Sequence, residues 1–342
     1  MSENLKNILV VKLSAIGDVI HALPVSYAIK ETFPDAKLTW VVEPPAYDLL
    51  KFNPYIDKII IFRKKEFKTL KGLARNFFPF RKEIQAENYD AVLDLQGLFK
   101  SAAIAFFAQS NIKLGICNMR ELSNQISKPV IGEHAKGHIV ERYLDTARAI
   151  GCRVDKVVFP LEIPADAIKK ADAIAEQAGL VIENPYVALV IGASWETKRW
   201  SAENFAALSD WFYSVEVTPV LIGNGAVEEQ IAAEVVAKAE IPPINFVGKT
   251  NLMELSHVLK NSRIVIGGDT GTTHLSTALG IRTLMIMGPT QAARTGPYGQ
   301  IQNALEVDRD CKYCRKRICP KGENCLSAVT VDAVINKILS IK

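Results

Sequence analysis

The 342-residue sequence lacks any apolar run that approaches the ~20 residues of a membrane-spanning helix. It also lacks a low-complexity tract, and residues 1–4 lead directly into a strand-like run without the pattern of a secretory signal peptide. These absences predict a cytoplasmic globular protein. The length favours two domains over one.

Two common nucleotide-binding signatures are missing as well. No P-loop is present, which excludes the phosphate cradle of kinases and NTPases, and no G-x-G-x-x-G fingerprint follows the first predicted strand. The sequence is also expected to lack an Asp-x-Asp pair that would hold a divalent metal against a diphosphate. If the chain transfers a group from a nucleotide, a lysine and a helix dipole must replace that metal.

Apolar strand-like runs alternate with helical patterns along most of the chain. Nearly continuous Val, Ile and Leu runs are typical of a parallel sheet covered on both faces, and the spacing indicates repeated βαβ units. We therefore predict an α/β fold of two Rossmann-like domains. The predicted strands are residues 8–13, 38–42, 58–62, 91–95, 186–191, 218–222, 244–247, 264–266 and 283–287.

The alternation loosens between the two series, which predicts an inter-domain connection at 161–184 with one helix, 165–178. The first domain is then 1–160 and the second 185–325. A C-terminal segment, 326–342, contains a final helix near 331–339, which we expect to pack back towards the first domain. Pro24 lies in the first predicted helix, where we expect a kink.

The first polar loop follows the first predicted strand and contains Ser14, Gly17 and Asp18. Gly17 permits a tight turn and a close backbone approach. Asp18 stands at the start of a helix, where ligands of open parallel sheets bind. Helix capping is the alternative role of Asp18, and its position alone favours that alternative.

The second polar loop is 192–200, after the first strand of the second domain. Lys198 can neutralise a phosphate as a point charge, and Arg199 can bind one through its fork. The alternative is a surface loop anchored by its tryptophans, Trp195 and Trp200.

The third polar loop, 267–274, is GGDTGTTH. Its small residues expose backbone N–H groups at a helix N-terminus, a suitable site for a pyrophosphate, and its threonines add hydroxyl donors. Asp269 is expected to orient the loop or to accept a ligand hydroxyl or amine. His274 suits phosphate or ribose, although a lone His is often a structural residue. An acid on the first domain and a phosphate site on the second fit group transfer from a nucleotide.

Residues 63–82 carry eight Lys or Arg, one acid and four interleaved Phe. This composition suits an anionic membrane surface or a phosphorylated lipid, and equally a solvated helix with a few core-facing Phe. Nucleic acid is not an expected partner, because no nucleic-acid module accompanies the stretch.

Four of the six cysteines lie close together near the C-terminus, at Cys311, Cys314, Cys319 and Cys325. In a reducing compartment such a cluster suits structural zinc or iron, with disulfides or free thiols as the alternatives. Its role is expected to be structural, because it belongs to none of the three polar loops. Cys117 and Cys152 are expected to be ordinary buried thiols.

At these residues the sequence resembles the ADP-heptose:lipopolysaccharide heptosyltransferases, glycosyltransferase family nine. The resemblance rests on VKLSAIGDVIHALP (11–24), YDAVLDLQGLFKSA (89–102), GASWETKRW (192–200) and GGDTGTTHLSTALG (267–280), and so covers nearly the whole chain. Segments 96–98 and 138–142 look most like heptosyltransferase I, which adds the first heptose to Kdo-lipid A. The resemblance implies a GT-B fold, in which the parallel sheets of the two domains face each other across a crevice.

The resemblance also implies roles for individual residues in an inverting, single-displacement reaction that needs no catalytic cofactor. Asp18 would be the general base on the Kdo hydroxyl, and Lys198 would stabilise the departing ADP. The donor site would contain Ser194, Lys198, Asp269, Thr270, Gly271, Thr272 and His274. The acceptor site would contain Ser14, Gly17, Lys100, Arg120 and Arg142. Residues 63–82 would dock on the cytoplasmic surface of the inner membrane as a peripheral contact.

Three alternatives remain open from the sequence. The chain could be heptosyltransferase II or another family-nine transferase with a different acceptor or sugar nucleotide. It could be a nucleotide-sugar-binding protein without turnover, against which the presence of both Asp18 and Lys198 argues. An iron–sulfur oxidoreductase would explain the cysteines but would leave the three loops without a role, and visible absorbance would identify it.

Overall fold

A computed structural model describes residues 5–341. The chain divides into two compact units, Met1–Glu162 and Ile163–Lys342. The ends of the first and last predicted segments, 1–4 and 342, lie outside the described residues. Helix α7 (Ala165–Gln177), in the predicted connection, belongs to the second unit and packs on its helix α10 (Leu252–Asn261).

The first unit contains one parallel sheet of six strands. Its strands are β1 (Asn7–Val11), β2 (Lys37–Val42), β3 (Lys58–Ile61), β4 (Ala91–Asp94), β5 (Ile112–Gly115) and β6 (Lys128–Pro129). Its helices are α1 (Ile16–Ala22), α2 (Pro24–Thr32), α3 (Tyr47–Lys51), α4 (Leu70–Ile84), α5 (Phe99–Phe107) and α6 (Ile139–Arg148). The strand order is β3-β2-β1-β4-β5-β6.

The second unit repeats this plan. Its strands are β7 (Tyr186–Val190), β8 (Thr218–Ile222), β9 (Ile244–Asn245), β10 (Val265–Gly268), β11 (Thr283–Met287) and β12 (Ala304–Glu306). Besides α7 and α10, its helices are α8 (Ala202–Ser214), α9 (Ala226–Lys238), α11 (Gly271–Ala278), α12 (Ala292–Thr295) and α13 (Val331–Ser340). The order is β12-β11-β10-β7-β8-β9, again all parallel.

Both sheets have the Rossmann strand order 3-2-1-4-5-6 when each unit is numbered from its own first strand. The order reverses between β1 and β4 in the first unit and between β7 and β10 in the second. At such a switch point the loops diverge to opposite faces and leave room for a ligand. The α/β prediction of two Rossmann-like domains is therefore confirmed. The three polar loops follow β1, β7 and β10, at the switch points.

Several elements differ from the prediction. Pro24 does not kink a helix: α1 ends at Ala22 and Pro24 begins α2, because proline has no N–H to donate at an interior position. Strands β5, β6 and β12 were not predicted, since they are short and half-buried. Helix α13 packs on α8 with Val334 in the core of the second unit. Its predicted packing towards the first domain stays a prediction.

The central strands are almost entirely inaccessible to solvent, as their apolar sequences require. This burial fixes the ends of β1, β4, β7 and β10, from which the polar loops emerge. Among the described residues, no helix combines the length and apolarity needed to cross a membrane.

Candidate active site

Asp18 lies in the first turn of α1, directly after the loop that leaves β1. Its Oδ2 accepts a hydrogen bond from the Ala15 amide at 3.3 Å, so it caps the helix as the alternative reading expected. Its side chain nevertheless remains 48% exposed. A carboxylate that is held by one backbone amide and open to solvent can still accept a proton from a bound hydroxyl.

Lys12, which the sequence reading did not single out, is buried behind Asp18. Its Nζ lies 3.9 Å from Asp18 Oδ2 and donates to Tyr143 Oη at 2.8 Å and to Leu95 O at 3.3 Å. Burial, the largest influence, lowers the pKa of Lys12, while the Asp18 carboxylate opposes that shift. The signal in the sequence was a lysine inside an otherwise apolar strand run.

The pKa of Lys12 predicts a pH dependence of stability. Because the folded pKa lies below 10.5, the unfolded chain binds more protons between the two values, and stability rises with pH in that window. Lys12→Met should remove this rise in the free energy of unfolding with pH. Urea unfolding of both proteins at about pH 8 and about pH 10 measures that free energy. The same pH dependence in both proteins would contradict the assignment.

The loop after β4 fixes the loop after β1. Asp94 is fully buried and accepts hydrogen bonds from Gln96 N, Gly97 N and Ser101 Oγ at 2.9–3.1 Å. Gly97 has φ +62°, which favours glycine, and an added Cβ would meet Ile116 at 3.0 Å. The turn directs Gln96 Oε1 to the amides that follow β1.

Gln96 Oε1 accepts from Leu13 N at 3.1 Å and from Ser14 N at 3.0 Å. Lys100, on α5, donates to Ser14 Oγ at 3.1 Å and to Glu43 Oε1 at 2.5 Å. The structure therefore joins two predicted acceptor residues, Ser14 and Lys100. Gly17 lies beside Asp18 in the first turn of α1.

A cavity of ≈ 420 Å³ adjoins Glu43, the partner of Lys100. Four cations line it, so it suits an anionic ligand. The sequence predicted either a surface for an anionic membrane or phosphorylated lipid or a solvated helix for these cations, and it did not predict a pocket. The lining residues are Glu43, Pro44, Pro45, Arg63, Lys64, Lys65, Glu66 and Lys68.

The two predicted acceptor arginines have different surroundings. Arg120 is exposed, and its charge is close enough to Lys12 to lower the pKa of that lysine. Arg142 is buried on α6, where its Nε donates to Gly137 O at 2.9 Å. The Arg142 guanidinium therefore has a hydrogen-bond partner in the loop that precedes α6.

Lys198 and Asp269 form the centre of the second unit's site. Lys198 Nζ lies 2.7 Å from Asp269 Oδ2, and the Asp269 side chain is only 5% exposed. Gly268 makes this approach possible, because a Cβ there would lie 2.1 Å from Lys198 O. The loops after β7 and β10 are thus brought together, as their predicted common role requires.

Asp269 orients the loop, one of its two expected roles. Its Oδ1 bonds His274 Nε2 at 2.8 Å, and its Oδ2 also accepts from Thr290 Oγ1 at 2.6 Å and from Thr295 Oγ1 at 3.3 Å. Burial alone would raise the pKa of Asp269, but His274 and Lys198 hold it well below the usual range. Asp269 is therefore a carboxylate whose partners are all side chains of its own unit.

The N-terminus of α11 offers donors to an anion. Gly271 and Thr272 lie in its first turn, where backbone N–H groups have no helical acceptor. Thr270 Oγ1 is buried and has no hydrogen-bond partner within residues 5–341. A buried hydroxyl without a partner is costly, so this oxygen is suited to a ligand.

The two tryptophans of the loop after β7 have separate roles. Trp200 is buried, and its Nε1 donates to Val329 O at 2.8 Å, which anchors the loop. Trp195 is half-buried, and its ring lies 4.6 Å from Lys198 Nζ, within range of a cation–π contact. Ser194 is exposed beside it.

The cysteine-bearing segment contacts the polar loops, although the sequence placed it outside them. Thr197 Oγ1 donates to Lys316 O at 2.6 Å, directly beside Lys198. Among the described residues, no three His, Cys, Asp or Glu side chains are arranged to hold a metal ion. The expectation that the chain lacks an Asp-x-Asp pair was wrong: Asp308 and Asp310 form one, and they line a cavity with Cys311 and Lys321.

Cys152 is buried as expected, whereas Cys117 is only partly buried, so the expectation was wrong for Cys117. This difference in thiol exposure predicts an order of alkylation. Burial raises the pKa of Cys152 to about 12 and also raises that of Cys325, whereas Cys314 is exposed. Because the thiolate reacts, Cys152 should label roughly 10²-fold more slowly than Cys314. Peptide mass spectrometry after iodoacetamide treatment of chelator-treated protein measures this order. Equal labelling rates would contradict it.

Two Rossmann-like units, one with an acid after its first strand and one with a lysine beside an open helix N-terminus, define a glycosyltransferase of the GT-B class. The sequence model of glycosyltransferase family 9 (heptosyltransferase) matches residues 77–324. The chain therefore belongs to glycosyltransferase family 9.

Curated and solved relatives agree with this assignment. Lipopolysaccharide heptosyltransferase 1 of Pseudomonas aeruginosa is 27% identical over 91% of this chain and 87% of its own. Other curated relatives are named heptosyltransferase 2 and heptosyltransferase 3. A family 9 glycosyl transferase from Veillonella parvula has a TM-score of 0.85 at 23% identity, covering 98% of this chain and 96% of its own.

Another solved relative contains ADP-2-deoxy-2-fluoro heptose. E. coli heptosyltransferase WaaC with ADP-2-deoxy-2-fluoro heptose has a TM-score of 0.72 at 25% identity, with coverage of 97% and 99%.

Proposed function

We propose that this protein transfers heptose from ADP-heptose to the Kdo of Kdo-lipid A in lipopolysaccharide inner-core synthesis, with inversion at the anomeric carbon. The observation that carries the proposal is the second unit's site, where the Lys198–Asp269 pair lies beside the donors of α11. WaaC, which shares the fold, was solved with an ADP-heptose analogue. Relatives named heptosyltransferase 1 support the acceptor.

The donor is assigned to the second unit. The first-turn amides of α11 suit the diphosphate, and Thr270 Oγ1 supplies a hydroxyl that has no hydrogen-bond partner among the described residues. Lys198 stabilises the negative charge that develops on the departing ADP, because its ammonium is held in place by Asp269. Asp269 itself positions this lysine and His274 and does not contact the phosphates.

The acceptor is assigned to the first unit. The carboxylates and phosphates of the acceptor suit Lys100 and Arg120. They also suit the cavity beside Glu43, which is lined by Arg63, Lys64, Lys65 and Lys68. Asp18 removes the proton from the acceptor hydroxyl as that oxygen attacks the anomeric carbon. The bond from sugar to ADP breaks, and the electron pair leaves on the diphosphate.

The acceptor is the finer part of the proposal, and a panel of substrates tests it. Product should form with ADP-heptose and heptose-free Kdo-lipid A, and not with an acceptor that already carries the first heptose. The product mass identifies each addition. Transfer only to the heptosylated acceptor would support the alternative, a heptosyltransferase II. ADP binding without any transfer would support a nucleotide-sugar-binding protein.

We further propose that α4 and α5 dock the enzyme on the cytoplasmic face of the inner membrane. Phe67 and Phe80 pack on Phe62 in the core, whereas Phe78 is 68% and Phe106 59% exposed. Leu70, 88% exposed, extends this apolar surface. The cations of 63–82 flank it, and apolar residues flanked by cations suit an anionic lipid surface.

Vesicle binding tests the membrane proposal. The wild type should bind phosphatidylglycerol vesicles more tightly than phosphatidylcholine vesicles, and Lys71→Gln should weaken binding about fivefold, from about 1 kcal/mol per surface cation. Phe78→Ser should weaken binding to phosphatidylglycerol and phosphatidylcholine vesicles alike. The control is Lys128→Gln, an exposed cation elsewhere in the first unit. Equal effects of Lys71→Gln and Lys128→Gln would contradict this docking surface.

We also propose that the four C-terminal cysteines hold a structural zinc or iron, with no part in the reaction. The four cysteines lie within residues 311–325, although in the part of the chain that the structure describes they are not arranged as metal ligands. Metal analysis should find about one ion per chain, lost in Cys314→Ser. No zinc or iron in anaerobically purified protein would refute this proposal.

A further inference from the structure

The cysteine-bearing segment is strongly basic. Residues 311–321 contain five cations and no carboxylate. In the part of the chain that the structure describes, none of these five forms an ion pair with a carboxylate. These five cations outnumber the flanking carboxylates of Asp308, Asp310 and Glu323, so the segment has positive charge available to an anionic ligand. The five are Lys312, Arg315, Lys316, Arg317 and Lys321.

The 311–321 segment is bonded to the loop that carries Lys198. The buried Thr197 donates from Oγ1 to Lys316 O at 2.6 Å. The guanidinium carbon of Arg317 lies 5.7 Å from the centre of the Trp195 ring, and Lys198 Nζ lies 4.6 Å from the same centre. The cationic groups of Lys198 and Arg317 therefore both lie within cation–π range of the Trp195 ring.

The same segment is bonded to the loop after β11. Tyr313 N donates to Gly288 O at 3.0 Å, and Arg315 N donates to Pro289 O at 2.9 Å. The next residue, Thr290, donates to Asp269 Oδ2. The segment thus supports both sides of the Lys198–Asp269 pair.

The 311–321 segment supplies positive charge that the Lys198–Asp269 pair lacks. Asp269 already compensates the charge of Lys198 at 2.7 Å, whereas a diphosphate leaving group carries more than one negative charge. We propose that the 311–321 segment is the outer wall of the donor site and that Arg317 is a further residue that binds the donor diphosphate. This role rests on the proposed function. The planar fork of an arginine matches phosphate oxygens, and its place on Trp195 limits the conformations it must give up.

Calorimetric titration of the full-length protein with ADP and with AMP tests the role of Arg317. Arg317→Gln should weaken ADP binding about tenfold, with a smaller effect on AMP, which lacks the second phosphate. Arg317→Lys should recover part of the loss, since it keeps the charge without the fork. Arg282→Gln is the matched control, an exposed arginine of the second unit outside the 311–321 segment, and should bind ADP within about twofold of the wild type.

The outcomes separate this inference from the proposed function. Wild-type ADP binding with an unchanged affinity in Arg317→Gln would overturn the role of Arg317 and leave the transferase proposal standing. A wild type that binds none of ADP, UDP and GDP would overturn both. Thr197→Val, which removes the hydroxyl bonded to Lys316, should also weaken ADP binding and change Trp195 fluorescence. Wild-type ADP affinity and an unchanged fluorescence spectrum in Thr197→Val would overturn the segment's supporting role.

Discussion

Asp18→Asn should reduce the turnover number for heptose transfer about 10³-fold, the contribution expected of a positioned general base. The amide keeps the size of the side chain, and its oxygen can still accept the Ala15 amide that Asp18 caps. The amide cannot accept the acceptor's proton. The loss should therefore appear in turnover, while the dissociation constant for ADP stays near its wild-type value, because the nucleotide is assigned to the second unit.

The comparison needs a control that changes charge without touching the site. Asp35→Asn serves, because Asp35 is an exposed acid of the same unit between α2 and β2. It should transfer heptose at the wild-type rate. Equal melting temperatures of the two variants would exclude unfolding as the cause of the loss. Near-wild-type turnover in Asp18→Asn would show that another group, or solvent, takes the proton.

Lys198→Met should lower turnover about 10²- to 10³-fold and weaken ADP binding about tenfold. Both effects follow from one ammonium group that contacts the diphosphate in the bound state and stabilises it further as it departs. The substitution also leaves Asp269 without its 2.7 Å partner, in a position only 5% exposed. Some stability is therefore lost as well, since an unpaired buried carboxylate is unfavourable.

Two further variants separate these contributions. Lys198→Arg keeps a charge beside Asp269 and should retain more stability than Lys198→Met, with turnover between that of Lys198→Met and the wild type. Lys249→Met removes an exposed lysine of the second unit and should leave turnover and ADP affinity unchanged. ADP affinity that is equal in Lys198→Met and the wild type would contradict a phosphate contact by Lys198.

Most of the fold followed from local sequence. The apolar runs that became β1, β4, β7 and β11 are continuous because those strands are buried on both faces. The missed strands β5, β6 and β12 are short and only half-buried, so their sequences carry no comparable run. Pro24 was read within one helix because helix periodicity continues across the break between α1 and α2.

The site was predicted in part, for a related reason. Asp18, Lys198 and Asp269 follow predicted strands, and strand ends in a parallel sheet are the places to search. Lys12 and Arg317 were not singled out, because the contacts that place them beside the candidate site, to Tyr143 and Trp195 respectively, are distant in sequence. Such contacts arise only when the chain folds. The bond from Thr197 to Lys316 likewise spans 119 residues and has no local signal.

The most direct test of the central claim is one reaction: ADP-heptose with heptose-free Kdo-lipid A, with and without EDTA, followed by ADP release and product mass together. We predict one heptose added for each ADP released, at the same rate in EDTA, because in the proposed reaction Lys198 and the α11 N-terminus would take the place of a catalytic metal. No product with a protein that still binds ADP would contradict the assigned reaction. Product that disappears in EDTA both in the wild type and in Cys314→Ser, which lacks the structural metal, would contradict the assigned chemistry.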